Sequence, residues 1–458
     1  MSTRNIGIDL GVTSKHKADI RDDRGKKIGR NFSLSTTKED LDALSRYALK
    51  DAPEETKLRF IFEATSMIWL PIALYGKSEG HEVVRVKTQQ AHDLRKYYSR
   101  HGKSDKIDAK TLAKMPVVDE EALEEVFIPD KRIFALDRRS RQKNKITETI
   151  AGLKKRISSF FHWVIPGLLD CFENRYGEVA RAFYRQYANP FRAKESGLEG
   201  LTLFLKGAGN EDLELPQKLY QAVLRACELY QDALEYVDFD ELQNELIEEL
   251  DHLEERERAL ARVNAQIERL YEEVHPSKNL ETISGIRDGL APEFIGIIGD
   301  PHRFSSNSKL VGYSGMYPEQ DESGERSKKG LSITKEGPPR MRRAAYIASD
   351  IARQWDPQLA KLYYDQMVHK GNCHTQALCA IAPHLLARVL TVLKEDRPYE
   401  LRDPDGNPIS KRDAKLLIER EYTVPEEVRE RTRSRRRKQR RQRGGRTTHT
   451  NESRQSRS

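Results

Sequence analysis

The opening of this 458-residue chain places the strongest constraint on its fold. A short apolar run, Asn5-Ile6-Gly7-Ile8, ends on the acidic residue Asp9 and is followed by Leu-Gly and small polar residues. Apolar runs at 58–64 and 82–87 alternate with stretches of helical periodicity. Strands that alternate with helices predict an α/β sheet with at least one parallel portion, whose site lies at the carboxyl ends of its strands.

A strand that ends in Gly-Ile-Asp-Leu-Gly opens two groups of ribonuclease-H-like proteins. In the actin, chaperone and sugar-kinase ATPases this turn cradles ATP phosphates, and in RuvC-like nucleases the same Asp holds Mg²⁺. The ATPase reading needs a second, glycine-rich phosphate loop. The only Gly-Gly pair in the sequence is Gly444-Gly445, inside a basic tail, so the sequence favours the nuclease reading.

Four carboxylates are candidates for a metal site. Asp9 and Glu63 each end an apolar run, so they share one edge of the sheet if their strands are neighbours. Asp105 and Asp108 are three residues apart on a predicted helix and therefore lie on one face. Two-metal nucleases need several acidic oxygens around ions about 4 Å apart. An ordinary exposed helix start, with Asp near the positive end of the helix dipole, also explains the second pair.

Composition limits the class of protein. The chain is 37% hydrophobic and 33% charged, which predicts much exposed or helical surface. It has no apolar run of roughly 18 residues, so we expect no membrane-spanning segment. There is no Cys-x-x-Cys pair and no secretory leader, which favours reduced thiols in a cytoplasmic protein. The cysteines are Cys171, Cys227, Cys373 and Cys379.

The net charge of +8 is concentrated in the last thirty residues. Residues 429–458 contain 13 lysines and arginines and two glutamates, so the rest of the chain is slightly acidic. With almost no apolar side chains, this tail is expected to be disordered. Its guanidinium groups suit nucleic-acid phosphates, although a solvated solubility tail is the alternative. We expect a polar linker and basic tail over residues 401–458.

The segment 129–276 is predicted to be helical, with a coiled coil. Its last part has a seven-residue apolar repeat that ends before His275-Pro276. Such a seam favours self-association, and the alternative is a long helix packed on its own chain. The repeat comprises Leu246, Leu253, Leu260, Ile267 and Val274, joined by Leu250, Val263, Leu270 and Tyr271.

The segment 277–400 is predicted to be a helical C-terminal domain. Its first part, Leu-Glu-Thr-Ile-Ser-Gly-Ile-Arg-Asp-Gly followed by an apolar stretch, indicates a helix-hairpin-helix-like segment. In such a segment the glycine turn and the next helix N-terminus face a phosphate. Downstream, Gly337-Pro338-Pro339 precedes an arginine-rich stretch, and proline is acceptable in the first turn of a helix.

Taken together, these motifs resemble one known family. Gly-Ile-Asp-Leu-Gly, Phe-Glu-Ala-Thr-Ser, Lys-Ser-Asp-Lys-Ile-Asp-Ala-Lys and the run from Leu310 to Gly337 are similar to the IS110/IS1111-type, or DEDD, transposases. The resemblance covers most of residues 4–128 and 277–397. It implies a RuvC-like N-terminal domain over 1–128, a coiled-coil region, and a C-terminal transposase domain with a nucleophilic serine.

The resemblance also implies a chemistry and partners. The matching metal ligands are Asp9, Glu63, Asp105 and Asp108, for Mg²⁺ or Mn²⁺, and the matching nucleophile is Ser323. Family members act as multimers on DNA and are directed by a structured guide RNA transcribed from the element. A serine that attacks a phosphodiester forms a covalent protein–DNA bond, so strands rejoin without ATP.

Several alternatives remain open at this stage. Ser323-Gly is also a turn signal, and Ser314 and Ser332 compete for its role. Two rival functions remain. The protein could be a metal-dependent nuclease that uses water, or a nucleic-acid-binding protein of a decayed element. The cations expected to bind nucleic acid are Lys103, Lys106, Arg287, Arg326, Lys328, Lys329, Lys335, Arg342, Arg343, Arg435, Arg436 and Arg437, with Arg340 in the same stretch.

Overall fold

The computed structural model describes most of the chain, as two compact units formed by residues 1–128 and 129–458. Each unit is described here by itself. The described residues are 2–63, 66–98, 105–120, 123–232, 234–287, 289–319, 322–323, 326–327 and 332–435.

The first unit is built on a six-stranded mixed sheet with strand order β3-β2-β1-β4-β5-β6. Strands β1, β4 and β5 are parallel to one another, and β2, β3 and β6 extend the sheet by antiparallel pairing. The strands are β1 (Thr3–Asp9), β2 (His16–Arg21), β3 (Phe32–Leu34), β4 (Lys57–Glu63), β5 (Glu82–Val86) and β6 (Glu124–Glu125). The helices are α1 (Lys38–Leu49), α2 (Trp69–Ser78), α3 (Thr88–Tyr98) and α4 (Asp105–Val118).

Helices cover both faces of this sheet, because consecutive residues of its central strands are apolar and face opposite sides. Phe60 and Phe62 on β4 pack with α1 and α2 on one face, whereas Ile61 packs with Leu112 and Met115 of α4 on the other. Phe60, Ile61 and Phe62 are all fully buried. This three-layer α/β/α arrangement agrees with the predicted α/β class, in which a largely buried parallel core is flanked by helices.

The second unit is helical, apart from one short β hairpin. A single hydrophobic cluster runs through it from Leu136 to Val424 and joins the predicted middle and C-terminal segments. Its helices are α5 (Lys131–Val164), α6 (Glu178–Tyr187), α7 (Pro190–Gly207), α8 (Leu215–Tyr230), α9 (Phe239–Val274), α10 (Ala291–Ile298), α11 (Asn307–Ser314), α12 (Pro339–Ala352), α13 (Pro357–Tyr364), α14 (His374–Glu395) and α15 (Lys411–Glu421). The hairpin strands are β7 (Glu322–Ser323) and β8 (Arg326–Ser327).

The seven-residue repeat lies on α9, which ends before His275 as expected. Its seam residues Leu246, Leu250 and Leu253 are buried in the same cluster as the apolar face of α5. Ion pairs between Arg132 and Glu273 and between Arg156 and Glu249 show that α5 and α9 run antiparallel. The apolar seam of α9 therefore packs against α5 of the same chain. This is the alternative to self-association, so the seam offers no support for an oligomer.

The predicted helix-hairpin-helix is not formed by two helices. Its first member is a four-residue 3₁₀ turn, Asn279–Thr282, and its second, α10, is buried along its whole length. Gly285, with φ of 91°, lies so close to α12 that a Cβ there would be 2.4 Å from the carbonyl oxygen of Ala348. The glycine is needed for helix packing, which is a different use from a phosphate-facing turn.

The region predicted as a polar linker and disordered tail is partly folded. Residues 411–421 form α15, and residues 426–435 are also helical. Val424 and Thr432 are buried, with exposed fractions of 4% each. A single buried valine and a buried threonine within a charged stretch explain why composition alone predicts a polar linker from residue 401 and a disordered tail from residue 429.

Among the described residues, α14 is long and apolar enough to cross a membrane by length and composition alone. The sequence pattern predicts no such apolar run. Nine of its side chains are buried, and they pack in the cluster that also holds α11, α12 and α13. This is the environment of a core helix.

A buried charged network joins α5, α10 and α12. Glu293, with 3% exposure, accepts hydrogen bonds from Asn144 Nδ2 at 2.7 Å, Arg340 Nε at 3.1 Å and the Arg343 guanidinium. Arg340 also donates to Asp137 at 2.8 Å. Two carboxylates and two guanidinium groups thus balance each other around a buried Glu293, with Arg343 partly exposed.

Removing Glu293 should destabilise the second unit strongly. Glu293→Ala leaves two arginines without their buried partner, which costs about 3–5 kcal/mol. Urea unfolding followed by circular dichroism measures this loss. Glu273→Ala is the matched control, because the Glu273–Arg132 pair is exposed and should contribute about 0–1 kcal/mol. Equal unfolding midpoints for the two variants would contradict the assignment.

Candidate functional site

Asp9 and Glu63 lie side by side at the carboxyl edge of the sheet. They are the last residues of the parallel neighbours β1 and β4, which pair in register up to Ile8 opposite Phe62. Continuing that register by one residue sets Asp9 beside Glu63, on strands about 4.8 Å apart. The expectation that these two strand ends share one edge is met by the topology.

The direction of α4 brings its acidic first turn to the same edge. A Cβ on Gly7 would lie 2.2 Å from the amide nitrogen of Ala113 and 2.3 Å from the carbonyl oxygen of Ala109, so α4 crosses β1 at Gly7. The other end of α4 is near the opposite edge, where Val117 faces Gly25 after β2. Since α4 runs antiparallel to β1, its N-terminal residues lie towards Asp9.

Asp105 and Asp108 are in that first turn. Asp105 is exposed, whereas Asp108 is half-buried and accepts a hydrogen bond from Arg95 Nη1 of α3 at 3.3 Å. All four predicted carboxylates are therefore directed to one edge of the first unit. Carboxylate oxygens are the ligands that Mg²⁺ prefers, so the donor chemistry fits a divalent metal.

The four candidate carboxylates do not form a metal-ligand set in this structure. Within the described part of the chain, no three His, Cys, Asp or Glu side chains are close enough together to hold a metal ion. Asp108 has a cation partner in Arg95, and a metal would compete with that pair. Binding would require the carboxylates to turn towards one another from positions that already share an edge.

His16 holds the loop that follows Asp9, and no pattern in the sequence indicates this role. It is 2% exposed and begins β2. Its Nδ1 accepts from the Gly11 amide at 3.1 Å, and its Nε2 is 2.8 Å from Thr36 Oγ1. Burial lowers the pKa of His16, which keeps the ring neutral and able to accept that bond. A lone histidine with no pattern around it carries no detectable sequence signal.

Ser323 lies on the hairpin of the second unit. It is the last residue of β7, and its backbone pairs with Arg326, the first residue of β8. Closer to the core, the two arms are joined by Thr334 N–H donating to Tyr317 O at 3.0 Å and by Glu319 N–H donating to Ser332 O at 2.8 Å. The predicted nucleophile thus lies on an antiparallel hairpin between α11 and α12.

The base of this hairpin is held by close backbone packing and by Arg342. A Cβ on Gly337 would lie 1.8 Å from the carbonyl oxygen of Tyr313, so the two arms meet where no larger residue fits. Arg342 donates to the carbonyl oxygens of Ser314 and Gly337, one on each arm. Burial lowers the pKa of Arg342. α12 begins at Pro339, so proline starts the helix as expected.

The alternative serines differ in their surroundings. Ser314 is fully buried, and its hydroxyl donates to Val311 O at 2.7 Å and accepts from the Met316 amide at 3.1 Å. Both uses are structural, so Ser314 is excluded as a nucleophile by burial. Ser332 is exposed on the returning arm and remains an alternative by position alone.

The predicted nucleic-acid-binding cations fall into four groups. Arg287, Lys335 and Arg435 are exposed. Arg342 and Arg343 have structural partners, the hairpin carbonyls and Glu293 with Asn144, so any phosphate contact by them remains a prediction. Lys106 lies in α4 and Arg326 in β8. Lys103, Lys328, Lys329, Arg436 and Arg437 lie outside the described residues.

Two family models match this chain. One covers most of the first unit and the start of the second, and the other lies within the second unit. Residues 6–166 match a model described as a transposase of the DEDD IS110 type, and residues 277–364 match the model of the transposase IS116/IS110/IS902 family. Together they cover more than half of the chain. The first contains all four candidate carboxylates, and the second contains Ser323.

Relatives among known proteins come from insertion elements and a DNA inversion system. The 43.6 kDa protein of insertion element IS110 from Streptomyces coelicolor is 29% identical over 163 residues, 35% of this chain and 38% of the relative. The 44.8 kDa protein of IS116 from Streptomyces clavuligerus is 21% identical over 88% of this chain and 99% of its own length. A pilin gene-inverting protein of Moraxella lacunata is 29% identical over 27% of this chain and 38% of its own. With both family models matched in chain order, this protein belongs to the IS110 family of insertion-element transposases.

Proposed function

We propose that this protein cuts and rejoins DNA through a covalent link to Ser323, assisted by a divalent metal at Asp9, Glu63, Asp105 and Asp108. The observation that carries the proposal is the shared edge of the first unit, where β1, β4 and the first turn of α4 direct all four carboxylates. The pilin gene-inverting relatives support DNA rearrangement as the outcome.

The serine step conserves bonds. The Oγ of Ser323 attacks a DNA phosphorus, the Oγ–P bond forms and the bond from phosphorus to one sugar oxygen breaks. The hydroxyl proton leaves serine, and the departing sugar oxygen ends as a hydroxyl. Attack of another strand's hydroxyl on the phosphoserine diester reverses the step and frees the serine, so the strand is rejoined without an energy source.

Serine needs help at neutral pH. A bound Mg²⁺ or Mn²⁺ would polarise the phosphate and stabilise charge on its oxygens. Asp9, Glu63, Asp105 and Asp108 would hold and orient the ion, while Arg95 keeps Asp108 in place without it. Because Ser323 belongs to the second unit, the reaction requires the two units, of one protomer or of two, to come together on DNA.

Other parts of the proposal concern partners. The chain acts in the cytoplasm as a homo-oligomer, a dimer or a tetramer, and a structured RNA from the element directs it to donor and target DNA. The seam of α9 is filled by α5, so the oligomer must use other surfaces. The exposed cations Arg287, Lys335 and Arg435 suit phosphate contacts.

A metal-dependent nuclease that uses water is the second candidate. The four carboxylates at the edge of the first unit would be sufficient for such a nuclease, since a hydrolytic nuclease needs no protein nucleophile. The hairpin supports the serine mechanism, because Ser323 lies on it and Arg342 donates to carbonyl oxygens on both arms at its base.

The decisive experiment tests for the covalent intermediate. The full chain is incubated with Mg²⁺, DNA carrying the element junction and RNA transcribed from the flanking sequence, and protein–DNA linkages that resist denaturant are mapped by peptide mass spectrometry. We expect a DNA-linked peptide containing Ser323, lost in Ser323→Ala and kept in Ser332→Ala. Cleavage without any adduct would establish the hydrolytic nuclease, and an adduct on Ser332 would reassign the nucleophile.

The metal site has its own test. Asp9→Asn should lower the rate of adduct formation by at least about 100-fold, since removing even an outer partner of a metal ligand costs about 10–100-fold. It should leave the thermal unfolding midpoint nearly unchanged. Glu39→Gln, an exposed carboxylate on α1, is the matched control and should react normally. A wild-type rate in Asp9→Asn at all Mg²⁺ concentrations would refute the metal assignment.

Arg342 should act by holding the hairpin. Arg342→Ala frees both arms, and a displaced nucleophile of this kind slows the reaction by about 10–100-fold. Binding of the same DNA, measured by fluorescence anisotropy over a range of salt concentrations, should not change. Arg420→Ala, an exposed arginine of α15, is the control. A weaker, less salt-dependent complex with Arg342→Ala would instead make Arg342 a phosphate contact.

A further inference from the structure

Two adjacent tyrosines on the outer surface of the first unit have no place in the carboxylate site. Tyr97 and Tyr98 end α3, and Tyr97 is 81% exposed, while Tyr98 is 37% exposed. Their rings are 5.2 Å apart and nearly perpendicular, at 78°. Apolar ring surface of this size on one helix turn commonly marks a binding surface.

A cation contacts one of these rings. Lys114 Nζ of α4 lies 4.3 Å from the centre of the Tyr98 ring, within the range of a cation–π contact. Two further exposed lysines are Lys96, next to Tyr97 in α3, and Lys110, one turn before Lys114 in α4. Burial and the neighbouring charges of Arg21 and Lys110 lower the pKa of Lys114, as expected where positive groups are crowded. The nearby carboxylate of Asp93 is occupied by Gln89, at 2.9 Å.

We propose that Tyr97, Tyr98, Lys96, Lys110 and Lys114 form a stacking platform for an unpaired nucleotide of a single-stranded DNA or RNA segment. Single strands are bound by aromatic rings that stack on bases, next to cations that follow the backbone. A protein partner is disfavoured, because the centres of protein–protein interfaces are depleted in lysine.

The platform is next to the acidic edge. Arg95, the residue before Lys96, donates to Asp108 in the first turn of α4, and Tyr98 contacts Lys114 further along the same helix. Six residues separate Asp108 from Lys114, about 9 Å along the helix. The platform is therefore close enough to take a base of the same strand whose phosphate lies at the carboxylates, and this position rests on the proposed function.

The test uses the full chain and single-stranded oligonucleotides of mixed sequence that carry 5-iodouracil, one set as DNA and one as RNA. Ultraviolet irradiation should crosslink the oligonucleotide to the peptide containing Tyr97. Fluorescence anisotropy should show affinity reduced about 5- to 100-fold in Tyr97→Ala and kept in Tyr97→Phe, which preserves the stacking ring. The set with the higher affinity identifies the strand as DNA or RNA.

Tyr236→Ala is the matched control, because Tyr236 is 79% exposed in the second unit. It should bind like the wild type. Wild-type affinity in Tyr97→Ala, or an altered oligomeric state in place of altered affinity, would overturn the proposal. Binding needs no catalysis, so the measurement is repeated in Asp9→Asn. If the wild-type chain forms no Ser323 adduct while Tyr97-dependent binding is intact, only the proposed function is refuted. If the Ser323 adduct forms and Tyr97→Ala binds like the wild type, only the platform is refuted.

Discussion

The contact between Gly7 and the backbone of α4 is the constraint on which the first unit depends. At this point the helix approaches β1 so closely that a single added Cβ would overlap Ala109 and Ala113. Side chains on a strand alternate between faces, so Gly7 and Asp9 are on the face that α4 covers, while Ile6 and Ile8 pack on the other. The absence of one side chain therefore sets the depth of α4, and with it the position of the acidic turn relative to Asp9 and Glu63.

The second unit uses charge for the same purpose. The start of α12 carries three arginines: Arg340 and Arg343 connect it to Glu293 and α5, and Arg342 donates to both arms of the hairpin. A buried carboxylate with two guanidinium groups is strongly destabilised when one partner is removed, so this network tolerates little displacement of α12. The base of the hairpin is thereby tied to α12. If Ser323 is the nucleophile, as proposed, this support would help to place it.

The proposed mechanism divides the chemistry between two units, because the candidate carboxylates belong to the first and Ser323 to the second. Under that proposal both would have to act on the same phosphate. Such a requirement would limit cleavage at wrong places. The proposed stacking platform would add a further requirement, because a base must leave its stack before it can occupy the Tyr97 ring.

The sequence by itself determined the local patterns: the strand that ends on Asp9, the second strand that ends on Glu63, the paired Asp105 and Asp108, and the end of α9 before His275. It also supported family membership, which the two family models show. Only the tertiary structure decided what each pattern packs against. In the folded protein the α9 seam packs against α5, Gly285 allows close helix packing, and Arg342 donates to backbone carbonyls. Part of residues 401–435 is helical, and His16 accepts a hydrogen bond from the loop after Asp9. The reason is that periodicity and spacing report which face of a segment is apolar or charged, whereas the partner of that face is chosen by contacts between residues far apart in the chain.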